Sequence, residues 1–249
     1  MPQATETVLG GIKAAEKTET DTQEVKIDTA SGKLYVQSGG GGTNYDNPID
    51  EPPSTPNAMD DEFDGTTLNS KWSWLDQGSA TIDLNGKYLK MNMFSSSDNN
   101  RMIIQPIPTV PFEVTAKIRM YIPNFNWATF GITIYNSANN KRGILGIGTV
   151  SGNSRAHLIQ FTSATAWNAD TWSINGFGDP SAVHYVKVTF NTTSFSFYLS
   201  SDGDEWIFIG TDTYSRWIGA VTHVGIGYFR NNTDGVNRPG RCDWFRVTQ

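Results

Sequence analysis

Carboxylate side chains are the first groups in this 249-residue sequence whose spacing can be compared with a known chemistry. Retaining hydrolysis of a glycosidic bond needs two carboxyl groups about 5 Å apart, one of them kept protonated by a raised pKa. From residue 60 onward the glutamates are Glu62, Glu113 and Glu205, and none has the Glu-x-Asp-x-x-Glu spacing that reaches one cleft from a single strand. Residues 202–205 read Asp-Gly-Asp-Glu, which indicates a hairpin tip where charges are usually solvated. The sequence therefore predicts a protein that is not an enzyme. A glycan depolymerase, with carboxylates from different strands, is an alternative.

Histidine and cysteine form no catalytic or metal-binding pattern. His157, His184 and His223 fall on different predicted strands, with no Ser-His-Asp or metal-ligand spacing nearby, so structural roles are expected. Cys242 is the single cysteine, which excludes a disulfide framework and a cysteine-based metal site. Its apolar surroundings predict a small, buried core residue.

Aromatic and amide side chains cluster in segments that we expect to be loops. A sugar ring stacks on an aromatic face, while amide and carboxylate groups bond its hydroxyls. The residues that could bind carbohydrate in this way are Trp127, Trp167, Trp172, Trp217, Asn126 and Asn168. Tryptophans of β-sandwiches usually fill the core, so a core position and a place on a binding surface are both open for these four.

Composition divides the chain near residue 59. Only two of the 30 aromatic residues, Tyr35 and Tyr45, precede that point. The first 59 residues hold nine acidic and four basic side chains, a net charge of −5, against 16 and 15 in the remainder, a net of −1. Such a segment cannot bury enough apolar surface to order itself, whereas the remaining 190 residues can form a core. Nothing here indicates nucleic-acid binding, membrane insertion or a signal peptide before Gly10.

The elements that must position these residues are β-strands. Apolar and polar residues alternate in residues 114–121, 184–190 and 195–199, which is typical of half-buried strands. Asn85-Gly86 between two such runs predicts a two-residue hairpin turn. About a dozen short strands without convincing helices favour an all-β, antiparallel, two-sheet sandwich.

Three motifs in this region resemble a known family. The region opens with Asp60-Asp-Glu-Phe-Asp-Gly-Thr-Thr-Leu68, continues with Ser200-Ser-Asp-Gly-Asp-Glu-Trp206 and closes with Cys242-Asp-Trp-Phe-Arg-Val247. Their order is similar to that of the concanavalin A-like lectin/glucanase superfamily. The resemblance implies a jelly-roll sandwich over residues 60–249 whose opening and closing segments pair. It also implies a Ca²⁺ site at Asp61 and Asp243, and no other cofactor is expected.

The beginning of the chain resembles the N-terminal attachment segments of tailed-phage fibre proteins. The resemblance covers roughly residues 4–37, and its phrase comprises Thr7, Val8, Leu9, Gly10, Gly11, Ile12 and Lys13. It implies a virion-attachment arm with a short hairpin over residues 1–38 and a Gly/Pro-rich linker over residues 39–59. An ordinary disordered tail is the alternative.

Together the two resemblances predict a structural virion protein, a phage head (capsid) fibre or decoration protein whose sandwich binds host-surface or mucosal carbohydrate. The alternatives are a tail fibre or receptor-binding protein, the depolymerase, and particle decoration without a ligand. The predicted partners are phage capsid or tail proteins, a cell-surface or mucosal glycan, and further copies of the chain in a trimer. The protein would be made in the host cytoplasm and lie on the virion exterior.

Overall fold

The computed structural model describes residues 8–9, 12–13, 24–27, 34–37, 57–93, 96–121, 127–232 and 236–249. The chain forms two compact units, Met1–Asp50 and Glu51–Gln249. In the first unit, β1 (Val8–Leu9) pairs with β2 (Ile12–Lys13), and β3 (Glu24–Ile27) pairs with β4 (Leu34–Gln37), both antiparallel. Thr7, Gly10 and Gly11 of the predicted attachment segment lie outside the described residues, as does most of the predicted linker.

The second unit consists of two seven-stranded antiparallel sheets. The first sheet has, in spatial order, β13 (Trp167–Asn175), β12 (Asn153–Phe161), β11 (Arg142–Val150), β10 (Ala128–Tyr135), β17 (His223–Asn232), β8 (Ser96–Pro106) and β5 (Ser73–Leu75). The second sheet has β16 (Ile207–Thr213), β15 (Ser194–Ser200), β14 (His184–Phe190), β9 (Phe112–Met120), β18 (Gly240–Thr248), β7 (Leu89–Asn92) and β6 (Thr81–Leu84). The predicted jelly-roll sandwich is confirmed.

The core lies between the sheets and is built by the alternation read from the sequence. Along β9, every second residue from Phe112 to Met120 is buried, and the residues between them face away from the core. Each buried Val, Leu, Ile or Phe contributes about 1.5–3 kcal/mol through removal of apolar surface from water. In the part of the chain that the structure describes, the one helical element is the 3₁₀ turn Tyr214–Arg216, and no helix is long and apolar enough to cross a membrane.

The opening and closing segments of the sandwich pair, as the family resemblance implies. Asp61 and Phe245 exchange two backbone hydrogen bonds of 2.8 Å, and the Asp60 carboxylate accepts a bond of 2.7 Å from Val247 N–H. Cys242 is fully buried beside this junction, which confirms its predicted core position. Burial raises the pKa of its thiol well above the ordinary value.

The outer face of the first sheet is closed by its own side chains. Gly131 and Gly146 oppose each other on β10 and β11, and a Cβ at Gly146 would lie 2.1 Å from the Phe130 carbonyl oxygen. A second apolar cluster consists of Met102, Ile104, Ile144, Ile159, Phe161 and Phe229. All of β11 is buried as a result, so this face offers little room for a ligand.

Candidate functional site

A cleft on the outer face of the second sheet combines aromatic and cationic side chains. In β7, β18 and β9, Arg241 pairs with Lys90 on one side and with Arg119 on the other. The strand neighbours of these residues, such as Leu89 and Ile118, are buried in the core. Successive side chains alternate between the faces of a sheet, so the three cations form a row on the outer face.

Two tyrosines stand at the two ends of this row. The Arg241 guanidinium lies over the Tyr88 ring, with its Cζ atom 3.6 Å from the ring centroid. Tyr121, which follows β9, is 65% exposed, and its backbone N–H donates a bond of 3.2 Å to the Pro239 carbonyl. With Ser181 and Pro239 these side chains line a cleft of about 300 Å³. That volume is at the lower end of the range of ligand pockets and suits one or two sugar rings.

Carboxylates neutralise only part of this charge. Lys90 Nζ lies 3.7 Å from an Asp83 carboxylate oxygen. Arg241 Nε donates to Asp243, whose other oxygen is 4.0 Å from Lys117 Nζ. Within the described residues, Arg119 has no ion pair. The cleft therefore presents hydrogen-bond donors with surplus positive charge beside aromatic faces.

This cleft cannot be recognised in the sequence, because its residues are spread over residues 88–241. Lys90, Arg119 and Arg241 occupy unremarkable polar positions of three alternating strands. Only the register of β7 and β9 against β18 brings them together. The one signal available was the alternation itself, which predicts that all three face away from the core.

Two of the predicted carbohydrate-binding residues lie on the surface of the sandwich. Trp167 begins the edge strand β13 and is 50% exposed, and Asn168 beside it donates a bond of 2.9 Å to the Gln160 side chain. Trp127, immediately before β10, is partly buried against the apolar cluster on the first sheet. Asn126 lies outside the described residues. Carbohydrate binding at these positions stays a prediction.

The other two predicted tryptophans pack into the core. Trp217 is only 8% exposed, and Trp172 packs edge-on against Phe195 with ring centroids 6.0 Å apart. Burial leaves Trp217 little ring surface for a sugar, whereas Trp172 is only partly buried against the core, so carbohydrate binding there stays a prediction. The expectation of a loop over residues 166–172 was also wrong, because Trp167 and Trp172 lie on β13. The strand was not recognised because register shifts between β12 and β13, together with the many polar residues of β13, interrupt the apolar–polar alternation.

The residues proposed for calcium are already engaged by cations of the chain. Asp61 accepts hydrogen bonds from Trp72 Nε1 (2.7 Å) and Phe63 N–H (2.9 Å), and Lys71 Nζ lies 3.6 Å from its carboxylate. Lys71 Nζ also donates to the Asp60 backbone carbonyl. Asp243 is paired with Arg241, as described above. Such an arrangement does not fit a Ca²⁺ ion, and the described residues contain no cluster of three His, Cys, Asp or Glu side chains.

A buried polar network on the first sheet was not predicted. His157 Nε2 lies 2.6 Å from Thr129 Oγ1, and its Nδ1 lies 2.8 Å from Asp170, which also bonds Arg155 at 2.6 Å. Burial disfavours the charged Asp170 carboxylate, but the hydrogen bonds and charges of His157 and Arg155 hold its pKa below the ordinary value. Thr129 and His157 are fully buried, so this triad-like arrangement has no access for a substrate. It stabilises the packing of β10, β12 and β13.

The carboxyl groups whose pKa is raised do not form a catalytic pair. Burial raises the pKa of Glu113 on β9 and of Asp212 on β16, against the opposing effects of Lys187 and Arg216. Three strand spacings separate β9 from β16, which is about 14 Å and too far for joint action on one bond. Asp202 accepts backbone hydrogen bonds of 2.9 and 3.0 Å from residues 204 and 205, so the predicted hairpin tip is present.

Comparison with known proteins relates this sandwich to one protein family and to several solved structures. The family model of the beta xylosidase C-terminal concanavalin A-like domain matches residues 60–248. No curated protein matches the chain. The GH43 protein BlXynB of Bacillus licheniformis is 19% identical with a TM-score of 0.59, over 90% of this chain and 45% of that one.

Two further solved structures share the fold. The xylan beta-1,4-xylosidase of Bacillus halodurans C-125 is 18% identical with a TM-score of 0.59, over 91% of this chain and 46% of that one. A beta-1,3-glucanase of Mycobacterium marinum is 16% identical with a TM-score of 0.52, over 78% and 99%. Identities this low show the fold alone, and the chain spans less than half the length of the two Bacillus proteins.

The family match overturns the prediction that the protein is not an enzyme, because beta xylosidases are glycoside hydrolases. The Glu-x-Asp-x-x-Glu spacing tests only carboxylates that share one strand. It cannot detect a family relationship that rests on the residues that build the sandwich. Nothing in the family match or the similar structures supports the resemblance to phage fibres.

Proposed function

Because the chain belongs to the family of beta xylosidase C-terminal concanavalin A-like domains, we propose that it serves in glycan hydrolysis and that its sandwich holds the carbohydrate substrate. The cleft between Tyr88 and Tyr121 is the observation that carries this proposal. It combines the exposed ring of Tyr121, the half-buried Tyr88 that carries the Arg241 guanidinium, and several hydrogen-bond donors on one concave surface.

The chemistry of the cleft suits a sugar ring. The axial C–H groups of a pyranose pack on an aromatic face, and aromatic contacts of this kind contribute about 0.5–1.5 kcal/mol beyond the area they bury. Lys90, Arg119 and Ser181 can donate hydrogen bonds to ring hydroxyls from the floor and sides. One such shallow site gives a dissociation constant on the order of 1 mM, about −4.1 kcal/mol.

Binding is tested by affinity electrophoresis of the purified chain through gels that contain xylan, xyloglucan or beta-1,3-glucan. We expect retardation by at least one of these glycans, and we expect Tyr121→Ala to reduce it about tenfold. Phe208→Ala is the matched control, because Phe208 is an exposed aromatic residue (55%) on the edge strand β16, away from the cleft. A chain that no glycan retards would contradict the proposal.

Hydrolysis is tested by measuring the release of reducing sugar from the glycan that is bound. We expect Tyr121→Ala to raise KM with little change in kcat, because the cleft holds the substrate without touching the bond that breaks. The absence of release from every bound glycan would overturn the hydrolytic half of the proposal.

The remaining sequence-based expectations concern partners and location. Attachment to phage capsid or tail proteins, assembly as a trimer and a position on the virion exterior stay predictions. No contact of the described residues favours a second function.

A further inference from the structure

Uncharged sugar hydroxyls do not explain why three cations stand side by side in the cleft. Lys90, Arg241 and Arg119 are direct cross-strand neighbours, and like charges placed opposite each other on a sheet destabilise it. The chain as a whole carries a net charge of −6, so this concentration of positive charge is not a general property of its surface. A row of this kind is stabilised when an anion binds to it.

The acidic groups near the row leave it with surplus positive charge. Asp83 pairs with Lys90, and Asp243 is shared between Arg241 and Lys117. Asp179, beside the cleft residue Ser181, uses a carboxylate oxygen to accept the Ser181 backbone N–H at 2.8 Å. Arg119, in contrast, is exposed and has no carboxylate partner among the described residues.

Arg241 is held in an orientation that suits an anion. Its guanidinium is stacked on Tyr88 and its Nε atom is the one that bonds Asp243. Its two terminal nitrogens have no hydrogen-bond partner in the described part of the chain. A planar guanidinium fixed in this way can bind a carboxylate through two parallel hydrogen bonds and loses little conformational entropy in doing so.

We propose that the cleft selects glycans that bear uronic acid residues, with the sugar carboxylate bound between Arg119 and Arg241 and the ring against Tyr121. This inference rests on the proposed function, since it names the substrate class of the same cleft. The tyrosine walls favour a sugar ring over a bare inorganic anion, and a cleft of about 300 Å³ between them encloses a sugar unit rather than a nucleic-acid backbone.

The test compares glucuronoxylan with the same polymer after chemical reduction of its carboxyl groups to alcohols. The two probes differ only at C6 of the uronic acid, which is a carboxylate in one polymer and a primary alcohol in the other. We expect the purified chain to bind glucuronoxylan about tenfold more tightly at low salt, because hydrogen bonds to a charged group are roughly twice as strong as neutral ones. The preference should weaken as NaCl is added, since this cleft is open to solvent.

Arg119→Gln is the informative variant, because Arg119 is exposed and its loss breaks no ion pair of the described chain. We expect the ratio of the two affinities to fall to about onefold, because a glutamine amide can still donate to a sugar hydroxyl but has no charge with which to bind a carboxylate. Arg216→Gln removes the same charge from a residue that is 59% exposed at the 3₁₀ turn, and it should keep the preference. Equal losses in both variants would indicate a general charge effect and overturn the inference.

The wild-type chain separates the two proposals. Equal affinity for the two polymers would overturn the selection of uronic acids and leave the proposed function standing. Binding to neither polymer, nor to any other glycan, would overturn both. Retardation by an RNA that matches retardation by glucuronoxylan, and that Arg119→Gln does not reduce, would also contradict the inference.

Discussion

At the scale of single residues, Lys71 supplies a cation where the family resemblance implied a metal. Its Nζ atom lies 3.4 Å from the Ala58 carbonyl and 3.6 Å from Asp61, and it donates to the Asp60 carbonyl. These oxygens belong to the segment that opens the sandwich. An ammonium group held among them neutralises Asp61 and fixes the opening segment without a bound ion.

Lys71→Met should therefore destabilise the sandwich. It leaves the largely buried Asp61 carboxylate without its cation, and we expect a loss of about 1–3 kcal/mol in the free energy of unfolding, measured by urea denaturation. Lys87→Met, at an exposed position, should change it by less than about 0.5 kcal/mol. Excess calcium should leave the wild-type melting temperature unchanged, and a clear increase would show that the site does take the ion.

The Cys242 thiol should not react with thiol reagents in the folded protein. Burial raises the pKa of its thiol, and the thiolate is the reactive form, so a thiol reagent should label it only after unfolding. The rate of labelling with a chromogenic disulfide, followed with and without denaturant, checks this. Rapid labelling of the native chain would show that the β18 strand opens locally.

At the scale of elements, strand alternation predicted most of the sandwich, but not its pairings. The predicted bounds of β14, residues 184–190, agree with the structure, since apolar and polar residues alternate from Val186 to Phe190 and a turn follows. β13 was missed, because register shifts interrupt its alternation. The cleft could not be predicted, since it depends on which strands become neighbours of β18.

The β10 backbone approaches Gly146 so closely that no side chain fits there, and strand alternation does not predict such a constraint. A Cβ there would lie 2.1 Å from a backbone oxygen of β10, so Gly146→Ala must push the strands apart. We expect destabilisation by about 1–3 kcal/mol, measured by thermal unfolding. Gly65→Ala is the control, because its Cβ would meet its nearest atom at 3.5 Å; similar losses for both variants would refute this explanation.

The buried network that joins β10, β12 and β13 should make the free energy of unfolding depend on pH in the acidic range. The pKa of Asp170 is lower in the folded protein, so its stabilising effect is complete above the unfolded pKa of about 3.9. That effect is lost as the pH falls below this value and through the folded pKa. The free energies of unfolding of wild type and Asp170→Asn, measured by urea denaturation, should therefore differ by about 1–3 kcal/mol near neutral pH and converge in acid. A constant difference at every pH would contradict this assignment.

At the scale of the whole molecule, the sequence correctly indicated a concanavalin A-like β-sandwich of carbohydrate-related type, and its division of the chain near residue 59 stays a prediction. The prediction that the protein is not an enzyme was wrong, because it rested on carboxylate spacing alone. The family relationship is carried instead by residues 60–248, which build the sandwich. Packing residues such as Trp72 and Phe245 preserve a fold without revealing which chemistry it accompanies.

The pairing of Asp61 with Phe245 also has a mechanical consequence. The two segments run antiparallel and their outer ends lie on the same side, as the bond between Asp60 and Val247 shows. A pull applied to both ends would open these hydrogen bonds one after another, like a zipper, instead of shearing them together. Under tension applied through both ends, the sandwich should therefore yield first at this seam, at low force, while the sheets behind it stay folded.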